Sequence, residues 1–143
     1  MDAGLRSIGG VCGTLSVGAA SPFAVTTGNG MALAEREAPN AMVETAMCPA
    51  NQVIVGFSGK SSVYMEALSF RCAPLTIAGS APNFTLQIGN ATDSGMVGDE
   101  NTGTAFAAIN CAAGQVAVSQ VLNAAAAVDN FGLRCAALTL VVQ

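Results

Sequence analysis

Sliding the chain by 63 residues lays CPANQVIVGFSGKSSVYMEALSFRCAPLTI (48–77) without a gap on CAAGQVAVSQVLNAAAAVDNFGLRCAALTL (111–140). Ten of the thirty positions are identical, among them both cysteines, Gln52/Gln115, Val53/Val116, Val55/Val118, Arg71/Arg134, Leu75/Leu138 and Thr76/Thr139, and Glu66 falls on Asp129. A shorter echo, CGTLSV (12–17), matches CAPLTI (72–77) and CAALTL (135–140), and PFAVTTGN (22–29) echoes NFTLQIGN (83–90). The chain thus divides into the end of one repeat (1–17), a repeat over 18–77 and another over 78–140. Units of this size bury their apolar faces only against their neighbours. Its 143 residues suffice for a single domain with a core, not for two.

The unit reads as β. In VIVGF (53–57) and ALSFRC (67–72) apolar residues recur at alternate positions, with β-branched and aromatic types enriched. TLSV, PLTI, FTLQI, QVAV and ALTLVV follow the same pattern, and the turn-forming clusters ASP, TTGNG, SGKSS, GNATDSG and GDENTG separate the runs. Two alanine-bearing segments, MALAEREA (31–38) and NAAAAV (123–128), leave short helices open as an option beside the β reading, since Ala favours helix. The expectation is an all-β, antiparallel repeat domain.

The cysteines strengthen it. Cys48 and Cys72 are equidistant from Lys60, inside SGKSS, and Cys111 and Cys135 from Asn123. Equidistant residues face each other in a hairpin, so each pair is expected to staple one pseudo-symmetric hairpin. The alternative is five reduced, buried thiols. Two pairs at one separation and no histidine speak against a zinc site, and bridges point to an oxidising, extracellular or cell-surface location. Cys12 lacks an upstream mate, which leaves a trimmed parent, a free thiol or a bond to another chain.

Much chemistry is ruled out. Without histidine there is no histidine-based triad or metal centre. GKS (59–61) lacks the earlier glycine of a phosphate loop, whose place is held by Ile54. Net charge of −4 with only five Lys and Arg gives no phosphate-binding stripe, so no nucleic acid is expected. No apolar run reaches membrane-helix length, AGQVAVSQVLNAAAAV being broken by Gln115, Gln120 and Asn123, and MDAGLRSIGG lacks the basic start and apolar core of a signal peptide. No carboxylate pair stands out for hydrolysis; DSGMVGDENTG (93–103) offers Asp93, Asp99 and Glu100 to calcium without the spacing of the helix-flanked loop. A non-catalytic protein without a cofactor is expected.

VIVGFSGKSSVYMEALSF (53–70) resembles the last strand pair of the jacalin-related β-prism lectins, where IVGF, x, Gly leads to a small loop with Gly, an aromatic pair and Asp before the final strand. The threefold Cys, x, x, Leu, Ser/Thr, aliphatic pattern is similar to a prism of three pseudo-equivalent sheets, as in jacalin-like and vitelline outer-layer proteins. In such lectins loop amides and the Asp hold sugar hydroxyls while an aromatic ring covers the apolar face. The resemblance implies a prism-like fold and a glycan site at the tip from Lys60 to Glu66: Ser62 stands on the loop Gly, Tyr64 on an aromatic, Glu66 on the Asp, with Ser61 alongside and Asp129 as the counterpart in the second tip. A plainer reading makes these ordinary core strands, with Glu66 on the rim beside Lys60.

Two functions from different classes follow. One is an extracellular glycan- or glycoconjugate-binding domain. The other is a structural subunit, a homo-oligomer or polymer that builds a filament, coat or matrix: only 10% of residues are charged, so little resists edge-to-edge association.

Overall fold

The computed structural model describes residues 5, 8–19, 23–28, 31–32 and 44–141, leaving aside the side chains of residues 12, 31 and 32. The described residues form eleven strands: β1 (Val11–Cys12), β2 (Leu15–Val17), β3 (Val25–Thr27), β4 (Met31–Ala32), β5 (Gln52–Ser61), β6 (Met65–Ser80), β7 (Asn83–Ile88), β8 (Thr92–Gly98), β9 (Thr104–Asn110), β10 (Gln115–Ala124) and β11 (Val128–Ala137). Every pairing is antiparallel. A sheet ordered β7-β6-β5-β9 forms the largest unit; β6 is long enough to pair β8 along its first half and β7 along its second. β1–β4, β2–β3 and β10–β11 form two-stranded ladders.

Both long hairpins share one register. In β5–β6 the partners run from Gln52↔Pro74 to Ile54↔Cys72, then, past a bulge, from Gly56↔Arg71 to Lys60↔Ala67, and end at Ser61↔Met65. In β10–β11 they run from Gln115↔Ala137 to Ala117↔Cys135, then from Ser119↔Arg134 to Asn123↔Asn130, and end at Ala124↔Val128. Adding 63 to both members of each pair converts the first ladder into the second, irregularities included. Their tips agree as well: Ser62 N donates to Tyr64 O at 2.9 Å, and Ala125 N to Ala127 O at 3.1 Å. Before each hairpin a turn closes from Gln52 N to Pro49 O and from Gln115 N to Ala112 O. Its third residue has positive φ, 63° at Asn51 and 79° at Gly114, the left-handed region that Asn and Gly tolerate best.

The short ladders match in the same manner. Leu15↔Thr27 to Val17↔Val25 reproduces Leu75↔Ile88 to Ile77↔Leu86, and Val11↔Ala32 with Cys12↔Met31 reproduces Arg71↔Asp93 with Cys72↔Thr92. Here the shift is 60 on the first strand and 61 on the second.

One open option is decided and one expectation needs correction. NAAAAV forms no helix: Asn123 and Ala124 end β10, residues 125–127 turn, and Val128 opens β11. Four alanines are too few to nucleate a helix in water, and the ladder on either side fixes their path. For MALAEREA, Met31–Ala32 is strand, and residues 33–38 lie outside the described residues. Both disulfides are present, Cys48–Cys72 with Cα atoms 5.5 Å apart and Cys111–Cys135 with 5.7 Å. Yet neither joins facing residues, as a turn at Lys60 or Asn123 requires. The hairpins turn at 62–64 and 125–127, so Cys72 faces Ile54 and Cys135 faces Ala117. Cys48 and Cys111 stand ahead of the strands, before the Asn51 and Gly114 turns, and tie each lead-in loop to the hairpin's return strand. The Cys12 thiol lies outside the described side chains.

The core has two clusters. Phe57, Leu68, Val128 and Phe131 form one, with Leu5, Ile8, Met65 and Phe106 packed on it; Val25, Leu75 and Val116 form the other, with Val53, Leu86 and Leu138. Edge-to-face contacts join Phe57 to Phe131 at 4.9 Å and to Phe106 at 6.1 Å, an arrangement that adds to simple area burial. Leu5 links the two hairpin tips, its N–H donating to Met65 O and its carbonyl accepting from Val128 N, both at 2.7 Å.

Candidate functional site

The tip of the first hairpin overhangs the second. Because β5–β6 turns at 62–64 and β11 starts at Val128, Ser61, Ser62, Val63 and Tyr64 stand across from Asp129, Asn130 and Phe131 around one surface depression of about 270 Å³. Phe57, Met65, Phe106 and Ile109 complete its lining. A smaller hollow of about 190 Å³ adjoins it and shares Phe57, Ile109 and Phe131, so a shallow trough runs between β9 and β11 toward the Cys111–Cys135 bridge. Ser62, Asp129 and Asn130 are exposed, Tyr64 is half-buried, and Val63 is 81% exposed at the lip. Among the described residues neither Lys nor Arg lines the depression.

Of the tip residues singled out in the sequence, Ser61, Ser62, Tyr64 and Asp129 therefore meet at one place. Lys60 and Glu66 do not line it. The Lys60 ammonium donates to the Glu100 carbonyl, which ties the end of β5 to the loop after β8 rather than to Glu66. Glu66 is only 5% exposed; its Oε1 accepts a hydrogen bond from Ser62 Oγ, and its backbone carbonyl accepts from Asp99 N at 2.9 Å. The loop at 99–103 covers it closely, since a Cβ on Gly103 would lie 2.9 Å from Glu66 Cγ. Glu66 thus orients Ser62 from below. Its Oε2 and Thr102 Oγ1 are buried without a hydrogen-bond partner, a costly state for polar atoms.

No family model, curated protein or solved structure matches the chain.

Residues that the sequence reading passed over are the aromatic and aliphatic floor: Phe57, Phe106, Ile109 and Phe131. No alternation in TAFAAIN announces them: Phe106 and Ile109 are three residues apart, and a register shift in the β5–β9 ladder falls between their partners Gly59 and Phe57. Among the described residues no three His, Cys, Asp or Glu side chains form a group fit to hold a metal ion. Asp93 lies 3.7 Å from Arg71 Nε, and Asp99 Oδ1 accepts from Asn101 N at 2.9 Å, so the acids of 93–103 are engaged separately. No helix among the described residues is long and apolar enough to cross a membrane.

Proposed function

We propose that the chain is a secreted, non-catalytic, lectin-like domain that binds a neutral glycan in the depression between the hairpin tips. The observation that carries this reading is the convergence of Ser61, Ser62 and Tyr64 with Asp129 from the other hairpin. A neutral sugar offers hydroxyls on its rim and C–H groups on its face. The Asp129 carboxylate accepts two hydroxyl hydrogen bonds of the charge-assisted kind, the serines offer further donors and acceptors, and the Tyr64 ring covers the apolar face. The volume lies just below the ~300 Å³ at which drug-sized pockets begin, which suits a single terminal sugar. An acidic sugar meets the Asp129 carboxylate, which disfavours it.

A prism of three pseudo-equivalent sheets is the architecture we propose beneath this site. Its support is the matched registers of the two hairpins and of the short ladders, together with the way sequence equivalents cluster: Ile8, Leu68 and Phe131 pack in one core, and the equivalents Leu5, Met65 and Val128 are joined by backbone hydrogen bonds through Leu5. Two disulfides fit an oxidising compartment.

A glycan array tests the proposal. Neutral terminal sugars are expected among the hits, and Asp129→Ala or Tyr64→Ala each to weaken binding about tenfold or more, as loss of a charge-assisted bond or a stacked ring does, while Gln87→Ala on β7 changes nothing. Binding that survives the double variant sinks the site; an array without neutral hits sinks the function.

The assembly reading keeps one specific support. The outer edge of β9 and both outer edges of β10–β11 lack a partner strand among the described residues, and Ile109, Val118 and Val121 are 54%, 48% and 42% exposed there. Open edges of this kind template pairing between chains.

A further inference from the structure

We infer that the segment Leu138–Val141 is a strand-accepting edge, filled by a strand of the Phe-x-x-x-x-Gly type from a second copy of this chain. The inference rests on the assembly reading for its partner and is independent of the glycan site.

Three segments of the chain follow a Cys-x-x-Leu start. In two of them the residues after the cysteine are paired: Leu15–Val17 with β3, and Leu75–Ser80 with β7. The segments that hold these partner strands carry Phe and, five residues on, Gly: Phe23 and Gly28 around β3, Phe84 and Gly89 in and just after β7. Each pairing is closed by the same bond, Gly28 N to Thr14 O at 2.7 Å and Gly89 N to Pro74 O at 2.9 Å. The third copy, Leu138-Thr139-Leu140-Val141, belongs to no strand among the described residues. It nevertheless has the burial of one: Leu138 and Leu140 are half-buried, Thr139 is exposed and Val141 is 74% exposed. Leu138 packs on the Val25, Leu75 and Val116 cluster, so the segment already lies on the core, without a ladder partner among the described residues.

What fills the edge follows from its two counterparts. Phe23 and Phe84, equivalent residues ahead of β3 and within β7, touch edge-to-face at 5.2 Å. Within a second copy, β3 is the more weakly laddered of the two candidate strands, although its Val25 is buried in the core. It is held by three pairs to β2, whose side chains are all exposed, whereas β7 is held by six pairs. Exchange of a short element between copies is a low-cost route to association. Hydrogen-bonded pairs alternate along an antiparallel ladder. Since Gly28 bonds Thr14 and Gly18 N donates to Ala24 O at 2.9 Å, Ser16 lies at a bonded position, and so does its counterpart Thr139.

Sedimentation velocity over a range of concentrations, on the disulfide-intact chain, is the test. Self-association is expected, weakened about tenfold or more by Thr139→Pro, which removes a ladder donor, and by Val141→Lys, which charges the edge, but not by Thr139→Val. A synthetic peptide of residues 22–29 is expected to compete, and its Phe23→Ala form to compete less. An unchanged melting temperature shows that the variants are folded. Association that is indifferent to Thr139→Pro, Val141→Lys and the peptide overturns the edge while leaving assembly standing. A chain that is monomeric at every concentration overturns both.

Discussion

Replacing Cys48 and Cys72 together by Ala is expected to lower the free energy of unfolding by about 3 kcal/mol. In the chain-entropy account, a bridge across this separation restricts the unfolded chain by that amount. The bridge also pins the lead-in loop before β5 to a residue of β6 that is fully buried, so its loss leaves a void at Cys72 as well. Cys111 and Cys135 have the same separation of 24 residues, hence the same entropic contribution, but Cys135 is only half-buried. The second pair of alanines should therefore cost somewhat less than the first. Urea unfolding followed by circular dichroism measures both. Equal costs would remove the packing contribution, and a cost below about 1 kcal/mol at either bridge would contradict the role given to it.

Phe57→Ala carries the largest expected effect of any single substitution, about 4 kcal/mol, the range for truncating a buried aromatic. Phe57 is 2% exposed on β5, yet its ring contacts are with Phe106 of β9 and Phe131 of β11. It therefore holds the second hairpin against the large sheet. The same ring floors both parts of the trough, so the variant should lose glycan affinity along with stability. Ile109→Ala, at 54% exposure on the same trough, is expected to cost under about 1 kcal/mol. Denaturant midpoints of the two variants, measured side by side, decide whether the core contact or the surface lining matters for stability.

Much of the architecture was legible because the repeat is written in residue types that set backbone geometry. Gln52 and Gln115 start strands after turns that need Asn51 and Gly114, and the cysteines at 48, 72, 111 and 135 sit at equivalent places in both ladders. Turn positions were less legible. Equidistance of the cysteines pointed to Lys60 and Asn123, but a bridge between a lead-in loop and a strand satisfies the same spacing as a cross-strand bridge. The helix propensity of NAAAAV was outweighed by its place at a hairpin tip, where the flanking ladder fixes the path.

At the site, the resemblance put Tyr64 and Glu66 together in one tip. A turn at 62–64 separates them: Tyr64 ends the turn and Glu66 falls inside β6. What buries Glu66 is the loop at 99–103, more than thirty residues away, and no local pattern announces it. The pairing of the first tip with Asp129 is likewise long-range. The repeat placed Asp129 as the counterpart of Glu66, whereas in space it stands opposite Tyr64.

Tyr64 offers the most direct measurement. It is the single tyrosine of a chain without tryptophan, so intrinsic fluorescence reports on the depression alone. Titration of the native protein with the neutral glycans selected on the array should change Tyr64 emission in a saturable way, with an affinity that falls about tenfold or more in Asp129→Ala and a weaker response to acidic sugars. Glycan binding that leaves Tyr64 emission untouched, or a response that persists unchanged in Asp129→Ala, would contradict the placement of the site between the two hairpin tips.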